Sequence, residues 1–261
     1  MGYLCLHDKK EIEQFLRKDS YLHIYSIGDL DDFFWPYTIW YGSQLDGQID
    51  AVVLLYVGLS LPTLLALSNE QDVMAKLLAS IQHLLPYQFY AHCSLGVETA
   101  LSTTYELEPH GAYYKMALVD ETLIENQDSS GVVRLSMKDL PIIQKLYQES
   151  YPGNWFDPRM LETGQYFGIM EQNRLASIAG IHVYSPEYQV AALGNITTHP
   201  ASRNRGYGAR VTAALCHSLC NEGIRVGLNV KADNKAAITC YQKIGFEVVA
   251  SYGEFMVQRK K

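Results

Sequence analysis

Basic residues are in short supply in this 261-residue chain. Its 21 Lys and Arg are outnumbered by 28 Asp and Glu, the net charge is −7, and only the tail Arg259-Lys260-Lys261 forms a basic run. Binding nucleic acid takes a basic face that neutralises phosphates, so no nucleic-acid partner is expected. Cysteine is sparse as well: Cys5, Cys93, Cys216, Cys220 and Cys240 are odd in number and have no repeating spacing. The N-terminus mixes acidic and basic residues where a secretory segment needs an apolar run, and together these features point to a reduced, cytoplasmic protein. Long apolar runs are missing too. Residues 51–67 carry no charge, but Gly58, Ser60 and Pro62 interrupt them and no Lys or Arg flanks them. They read as two buried strands, and no membrane partner is expected.

What is plentiful is apolar side chain, 48% of residues against 19% charged, enough for a sizeable core. The length suits one large domain or two ordinary ones. The polar run from Glu125 to Gly131 has no apolar period and marks a boundary, which divides the chain into residues 1–125, a linker 126–131 and residues 132–261. In the last part, strands are expected at Val132–Ser136, Tyr166–Glu171, Leu175–Tyr184, Val190–Thr198 and Val226–Val230, with helices from Leu140, from Tyr207 to the stop at Gly223, and from a cap at Asp233 or Asn234 to Gly245. The order reads β-α-β-β-β-α-β-α-β-β. The first part repeats it in outline, with strands at Tyr37–Tyr41, Ala51–Val57 and Thr63–Leu67, a helix at Glu70–Leu84, a strand at Tyr87–Cys93, a helix at Val97–Thr104 and a final strand pair ending near Leu118. The expected fold class is α/β, of α+β type: two like halves, each a mixed, mostly antiparallel sheet flanked by helices.

The strongest local signal is Arg203-Asn204-Arg205-Gly206-Tyr207-Gly208-Ala209, between a strand and an amphipathic helix. Backbone N–H groups at such a helix start can surround a phosphate; Gly206 and Gly208 allow close approach, and Arg203 and Arg205 add charge. A glycine turn before a helix is also an ordinary turn, so this motif alone leaves both readings open. One strand later comes Asn234-x-x-Ala237-x-x-x-Tyr241-x-x-x-Gly245-Phe246, whereas the first half has only Ser68-Asn69-Glu70-Gln71 in place of the glycine loop.

In this order and spacing, from Val132 to about Met256, the two motifs resemble the GNAT superfamily of acyl-CoA N-acyltransferases. The whole resembles tandem members whose first GNAT-like half has degenerated, as in glycine N-acyltransferase-like proteins. The resemblance implies acetyl-CoA as cosubstrate and the primary amine of a small molecule or peptide as acceptor; adjacent Cys216 and His217 point about 100° apart on one helix, so with Cys220 they are not read as a metal site and no metal is expected, and the protein is expected to be a monomer or homodimer. It implies that Arg203, Asn204, Arg205, Gly206, Tyr207, Gly208 and Ala209 hold the CoA pyrophosphate, that the backbone of Ile196, Thr197 and Thr198 pairs with the pantetheine arm, that Asn234 orients that arm, and that Tyr241 faces the thioester sulfur.

One departure matters. Many members carry a Glu that deprotonates the acceptor, and Ala192 stands at that position here. His182, His199, Tyr184, Glu187 and Asn195 acting through water are the local candidates; His182 comes first because it lies on the neighbouring strand and an ordinary imidazole titrates near neutrality. A His on a strand is also commonly a partly buried ring. Tyr241, sharing an apolar stripe with Ala237, Ile238 and Ile244, is equally open to a packing role. A non-catalytic acyl-CoA-binding or sensing protein is the rival reading: it would keep the loop and lose the chemistry.

Overall fold

The computed structural model describes residues 2–261. Its first half runs β1 (Leu4–Leu6), α1 (Lys9–Leu16), α2 (Ile24–Gly28), β2 (Thr38–Leu45), β3 (Gln48–Tyr56), β4 (Thr63–Ala66), α3 (Gln71–Ile81), β5 (Gln88–Ser94), a 3-10 turn at Val97–Leu101 and β6 (Tyr105–Leu118). After α4 (Thr122–Glu125) the pattern returns as β7 (Val132–Arg134), α5 (Leu140–Ser150), a 3-10 segment at Pro158–Thr163, β8 (Phe167–Glu171), β9 (Arg174–Ser185), β10 (Val190–Thr198), α6 (Tyr207–Asn221), β11 (Arg225–Lys231), α7 (Lys235–Gln242) and β12 (Phe246–Arg259). No helix among the described residues is long and apolar enough to cross a membrane.

Local chemistry accounts for the repeat. The β2–β3 and β8–β9 hairpins turn through Asp46-Gly47 and Gln172-Asn173, all four with positive φ, which matches the right-handed twist of the flanking strands. Asp8 caps α1 by accepting from the backbone N–H of Lys10 (2.8 Å), and Pro141 sits in the first turn of α5, where its missing N–H costs nothing. The segment 51–67 forms two strands, as its interruptions require. Three expectations are corrected. Each half ends in one 14-residue strand, β6 or β12, instead of two, because neither Gly111 nor Gly253 breaks the ladder. Val97–Leu101 is a short 3-10 turn, and the second hairpin turn is two residues long, with Arg174 already in β9.

The chain forms two compact units. The first contains the residues up to Lys115 together with 231–233 and 248–261. Its strands lie in the order β1-β2-β3-β4-β5-β12-β6, with β3–β4 antiparallel and β4–β5 parallel. Tyr41, Val53, Leu55, Leu64, Met74, Leu78, Phe89 and Val257 are buried together in its core. The second contains 116–230 and 234–247, in the strand order β11-β10-β9-β8-β7, with Ile143, Ile178, Val211, Leu215 and Leu219 buried. These units are not cut at 126–131: that stretch lies inside the second, and the C-terminal strand belongs to the first because its hydrogen bonds are there.

Residues Tyr252–Gln258 of β12 pair with β5, and Tyr252 and Val257 are fully buried. Burying one large apolar side chain is worth about 1.5–3 kcal/mol, against a total stability of about 5–15 kcal/mol for a whole domain. A chain truncated after Glu247 is therefore expected to lose the protected amides of β5 in hydrogen exchange; full protection of that strand in the truncated chain would contradict this strand order.

Candidate active site

The site begins where two parallel strands part. β10 pairs with β11 only from Val190↔Arg225 to Leu193↔Leu228, while its pairing with β9 continues to Thr198↔Ser177 with register shifts after Ala192 and after Gly194. Asn195 causes the second shift, with a left-handed φ of 55°. Its buried amide is fixed on all sides: Nδ2 donates to the Tyr166 hydroxyl (3.0 Å), Oδ1 accepts from Asn154 (3.2 Å), and the backbone carbonyl accepts from the Tyr147 hydroxyl (2.9 Å). Such a bulge bends the strand and ends its pairing, so the edge Ile196–Thr198 faces open space.

That space is a cavity of about 840 Å³, lined by Ile196, Thr197, Thr198, by the loop residues Arg203, Asn204, Gly206, Tyr207, Gly208 and Ala209, and by Asn234 and Tyr241. The chain reaches α6 through left-handed turns at Asn204 (φ 61°) and Gly206 (φ 77°). The first N–H groups of this 15-residue helix have no carbonyl of their own to bond and carry the positive end of its dipole. A Cβ on Gly206 would meet no atom within 4 Å, so the backbone is bare on this side; one on Gly208 would make ordinary contacts with Thr198 and Cys240. A cavity of this size with a bare helix start fits a diphosphate carrying a long arm. Asn234 resolves the cap question: its Oδ1 accepts from the Ala237 N–H (3.2 Å), which fixes α7 as a wall.

The structure separates the two loop arginines. Arg203 lines the cavity and donates through Nε to the Thr198 carbonyl (3.3 Å). Arg205 does not line it; its guanidinium pairs with Glu171, whose carboxylate also accepts from Ser202 (2.7 Å) and Arg174 (3.4 Å). The Ser202 hydrogen bond, then the Arg205 and Arg174 charges, hold the Glu171 carboxyl below its usual range. Arg205 thus braces the loop, and the cation that the sequence reading missed is Arg210. It lines the cavity and anchors residues of the expected linker: its Nε donates to the Asp128 carbonyl (3.0 Å), its guanidinium pairs with the Asp128 carboxylate (3.2 Å), and it bonds Ser130. Gln127 and Asp128 consequently form part of the cavity wall. Only the spacing of Arg210, one helical turn after Gly206, hinted at this.

Tyr241 is 8% exposed, its ring lies 6.0 Å from that of Phe246, and burial raises its phenol pKa well above 10. Among the described residues none hydrogen-bonds its hydroxyl, which faces the cavity. His182 is not in that lining. Its ring lies on the backbone of Gly194, where a Cβ would come within 2.3 Å of it, and meets the edge of Trp155 at 5.7 Å. Burial lowers its pKa to about 4, which corrects the expectation of titration near neutrality. The other base candidates are placed as follows. Tyr184 donates to Glu222 (2.6 Å), His199 lies 3.5 Å from Glu149 and accepts from the Ala201 N–H, and Glu187 is exposed in the β9–β10 turn. Ala192 is fully buried between Val183 and Gly227.

Two outcomes follow from this geometry. If the cavity takes the CoA that the resemblance implies, Gly206→Val should weaken its binding by at least about tenfold in calorimetry while costing about 1–2 kcal/mol of stability through its left-handed φ; unchanged CoA affinity would remove the loop from the site. The unfolded chain protonates His182 below about pH 6.5 and the folded chain only near pH 4, so stability falls as pH drops through that window. His182→Gln should flatten the fall, as read by urea titrations at pH 7, 5.5 and 4.5.

Comparison with known proteins bears on the fold. The FR47-like protein family matches residues 166–253. The mycothiol acetyltransferase of Kocuria rhizophila is 34% identical over 106 residues, covering 38% of this chain and 34% of the relative, so the chain spans about a third of the length of the curated relatives it matches. Among solved structures, a GNAT-family acetyltransferase from Novosphingobium aromaticivorans superimposes with a TM-score of 0.58 at 20% identity, over 80% of this chain and 89% of that one. A tandem GNAT protein from the clavulanic acid biosynthesis pathway does so with a TM-score of 0.57 at 14% identity, over 99% and 98%. The chain has the GNAT acetyltransferase fold.

Proposed function

We propose that this protein is an N-acetyltransferase that moves the acetyl group of acetyl-CoA to a primary amine by direct attack. One observation carries the reading: a single cavity gathers the unpaired edge Ile196–Thr198, the helix start at Gly206 and the unbonded hydroxyl of Tyr241. Acetyl-CoA supplies the acyl group as a thioester. The N–H groups at the start of α6, with Arg203, hold the diphosphate, and the edge of β10 takes the arm as an added strand. A backbone N–H of Ile196–Thr198 polarises the carbonyl that is attacked. Tyr241, kept protonated by burial, hydrogen-bonds the departing thiolate, and the proton shed by the acylated nitrogen passes through water to that sulfur. No Ser or Cys elbow is required, because the amine is itself the nucleophile.

The acceptor has a place beside the bulge. Tyr147, whose hydroxyl fixes Asn195, also lines a second cavity of about 480 Å³ with Gln144, Gln148, Tyr151, Asn154 and Phe156. Its lining contains no carboxylate to neutralise an alkylammonium. Deprotonating an amine of pKa about 10.4 at pH 7 costs about 4.6 kcal/mol, whereas an α-amine near 8 costs about 1.4 kcal/mol. Passing the proton of the former to a ring with pKa about 4 would cost still more, about 8.7 kcal/mol, so His182 is no base for it. We assign His182 a positioning role: its ring lies on the backbone of Gly194, beside Asn195, and so seats the bulge. The preferred acceptor is a small molecule or peptide with an α-amine or another weakly basic amine.

Release of free thiol from acetyl-CoA across an amine library tests the reaction; a sensing protein would bind CoA and release none. Tyr241→Phe removes only the hydroxyl. It should lower kcat by about 10²–10⁴-fold with CoA affinity and melting temperature nearly unchanged. Full turnover in that variant, measured where chemistry limits the rate, would make Tyr241 a packing residue.

A further inference from the structure

The β2–β3 hairpin of the first unit and the β8–β9 hairpin of the second are built alike: Leu45 pairs with Gln48 across one turn as Glu171 pairs with Arg174 across the other. The second hairpin fills the corner beside it with its own cation. Arg174 reaches His199 Nδ1 (3.3 Å), Ser202 Oγ (3.1 Å) and Glu171 (3.4 Å). In the first unit Gln48 stands where Arg174 does, and the corner is a cavity of about 450 Å³.

Three carboxylates line this cavity, Asp19, Asp50 and Glu70, against one ammonium, Lys18, whose charge lies 5.2 Å over the ring of Phe15. Two of them are held in place. Asp19 accepts from the Leu22 N–H (3.2 Å) and from Asn69 (2.8 Å), and Asp50 accepts from Ser43 (2.5 Å). A fourth polar group is the more telling. His23 is only 6% exposed and lines the cavity, yet its ring nitrogens bond no described residue; its neighbours are the Phe15 ring at 6.2 Å and the charges of Lys115 and Asp19. Burial lowers its pKa to about 4, so at neutral pH the ring offers one donor and one acceptor. Buried polar groups are normally hydrogen-bonded, and this one faces a cavity. The Lys115 charge is itself opposed by Glu254 and Asp19. Among the described residues no three His, Cys, Asp or Glu side chains converge as metal ligands do.

From this we infer that the first unit binds a small organic cation, with a guanidinium or alkylammonium head, in the corner where the second unit places Arg174. Asp19, Asp50 and Glu70 match its charge, His23 hydrogen-bonds it, and Phe15, Leu22 and Ile49 cover its alkyl part. The first unit then has a ligand of its own, independent of the acyl transfer proposed for the second.

Agmatine titrated into the full chain tests this, by calorimetry and by ¹⁵N NMR of the histidine rings. Saturable binding with a shift of the His23 ring nitrogens is expected. Gln48→Arg should weaken it at least about tenfold by supplying an internal guanidinium from an exposed position, with a melting temperature equal to or above that of the wild type. Asp50→Asn should also weaken it about tenfold, Tyr241→Phe should leave it unchanged, and 1,4-butanediol should not compete. The inference is overturned by no saturable binding up to about 10 mM, by equal Kd in Gln48→Arg and wild type, by competition from the neutral diol, or by shifts confined to residues of the second unit.

Discussion

Everything in the second unit that bears on chemistry depends on the parting of β10 from β11 after Leu193↔Leu228. Parallel strands normally satisfy each other's backbone groups, and an unpaired edge inside a sheet is costly unless something occupies it. Here the parting is enforced from behind, by a left-handed asparagine whose amide and carbonyl are held by two tyrosines and a second asparagine. The hydrogen bonds that bend the strand therefore lie on one side of it and the opened edge on the other. The same tyrosine that fixes the bulge also lines the smaller cavity, so the shape of that cavity and the shape of the opened edge are set by shared atoms.

Burial sorts the titratable groups of this unit by role. A buried phenol keeps its proton at any working pH and so remains a hydrogen-bond donor, whereas a buried imidazole gives its proton up and remains neutral. The charged residues around the loop are used mainly on one another. Arg205 is tied to Glu171 and Arg210 to Asp128, so the positive field at the helix start comes from backbone dipoles and Arg203 in addition to these braced pairs. Bracing has its own value, because a loop already held in its binding conformation loses less entropy when a ligand arrives.

The parts legible in the sequence were those written locally. The Asn204–Gly208 turn, the helix after it, the Asn234 cap and the Tyr241 stripe each lie within a few residues of their own signal. What escaped was non-local. Arg210 acts on Asp128 and Ser130, about eighty residues earlier, and Arg205 on Glu171, 34 earlier; nothing in either neighbourhood names the other. Asn195 stands in the sequence only as a candidate to act through water, and its part in bending the strand shows once its three partners are seen. His182 was misjudged on acidity because the Gly194 backbone beneath its ring and the Trp155 edge beside it are set by tertiary packing. The last strand was assigned by chain position to the second half, and hydrogen bonding assigns it to the first.

That last strand bears on how the protein is made. Tyr90 donates to Glu254 across 164 residues of sequence, and β5 waits for its neighbour until nearly the whole chain has been translated. A ribosome delivering about 5–20 residues per second leaves the open flank of β5 exposed for roughly 8–30 s after its own synthesis. The newborn first unit thus spends its early life with an unsatisfied strand edge, a state in which chaperone binding or illicit pairing with another nascent chain competes with the arrival of β12.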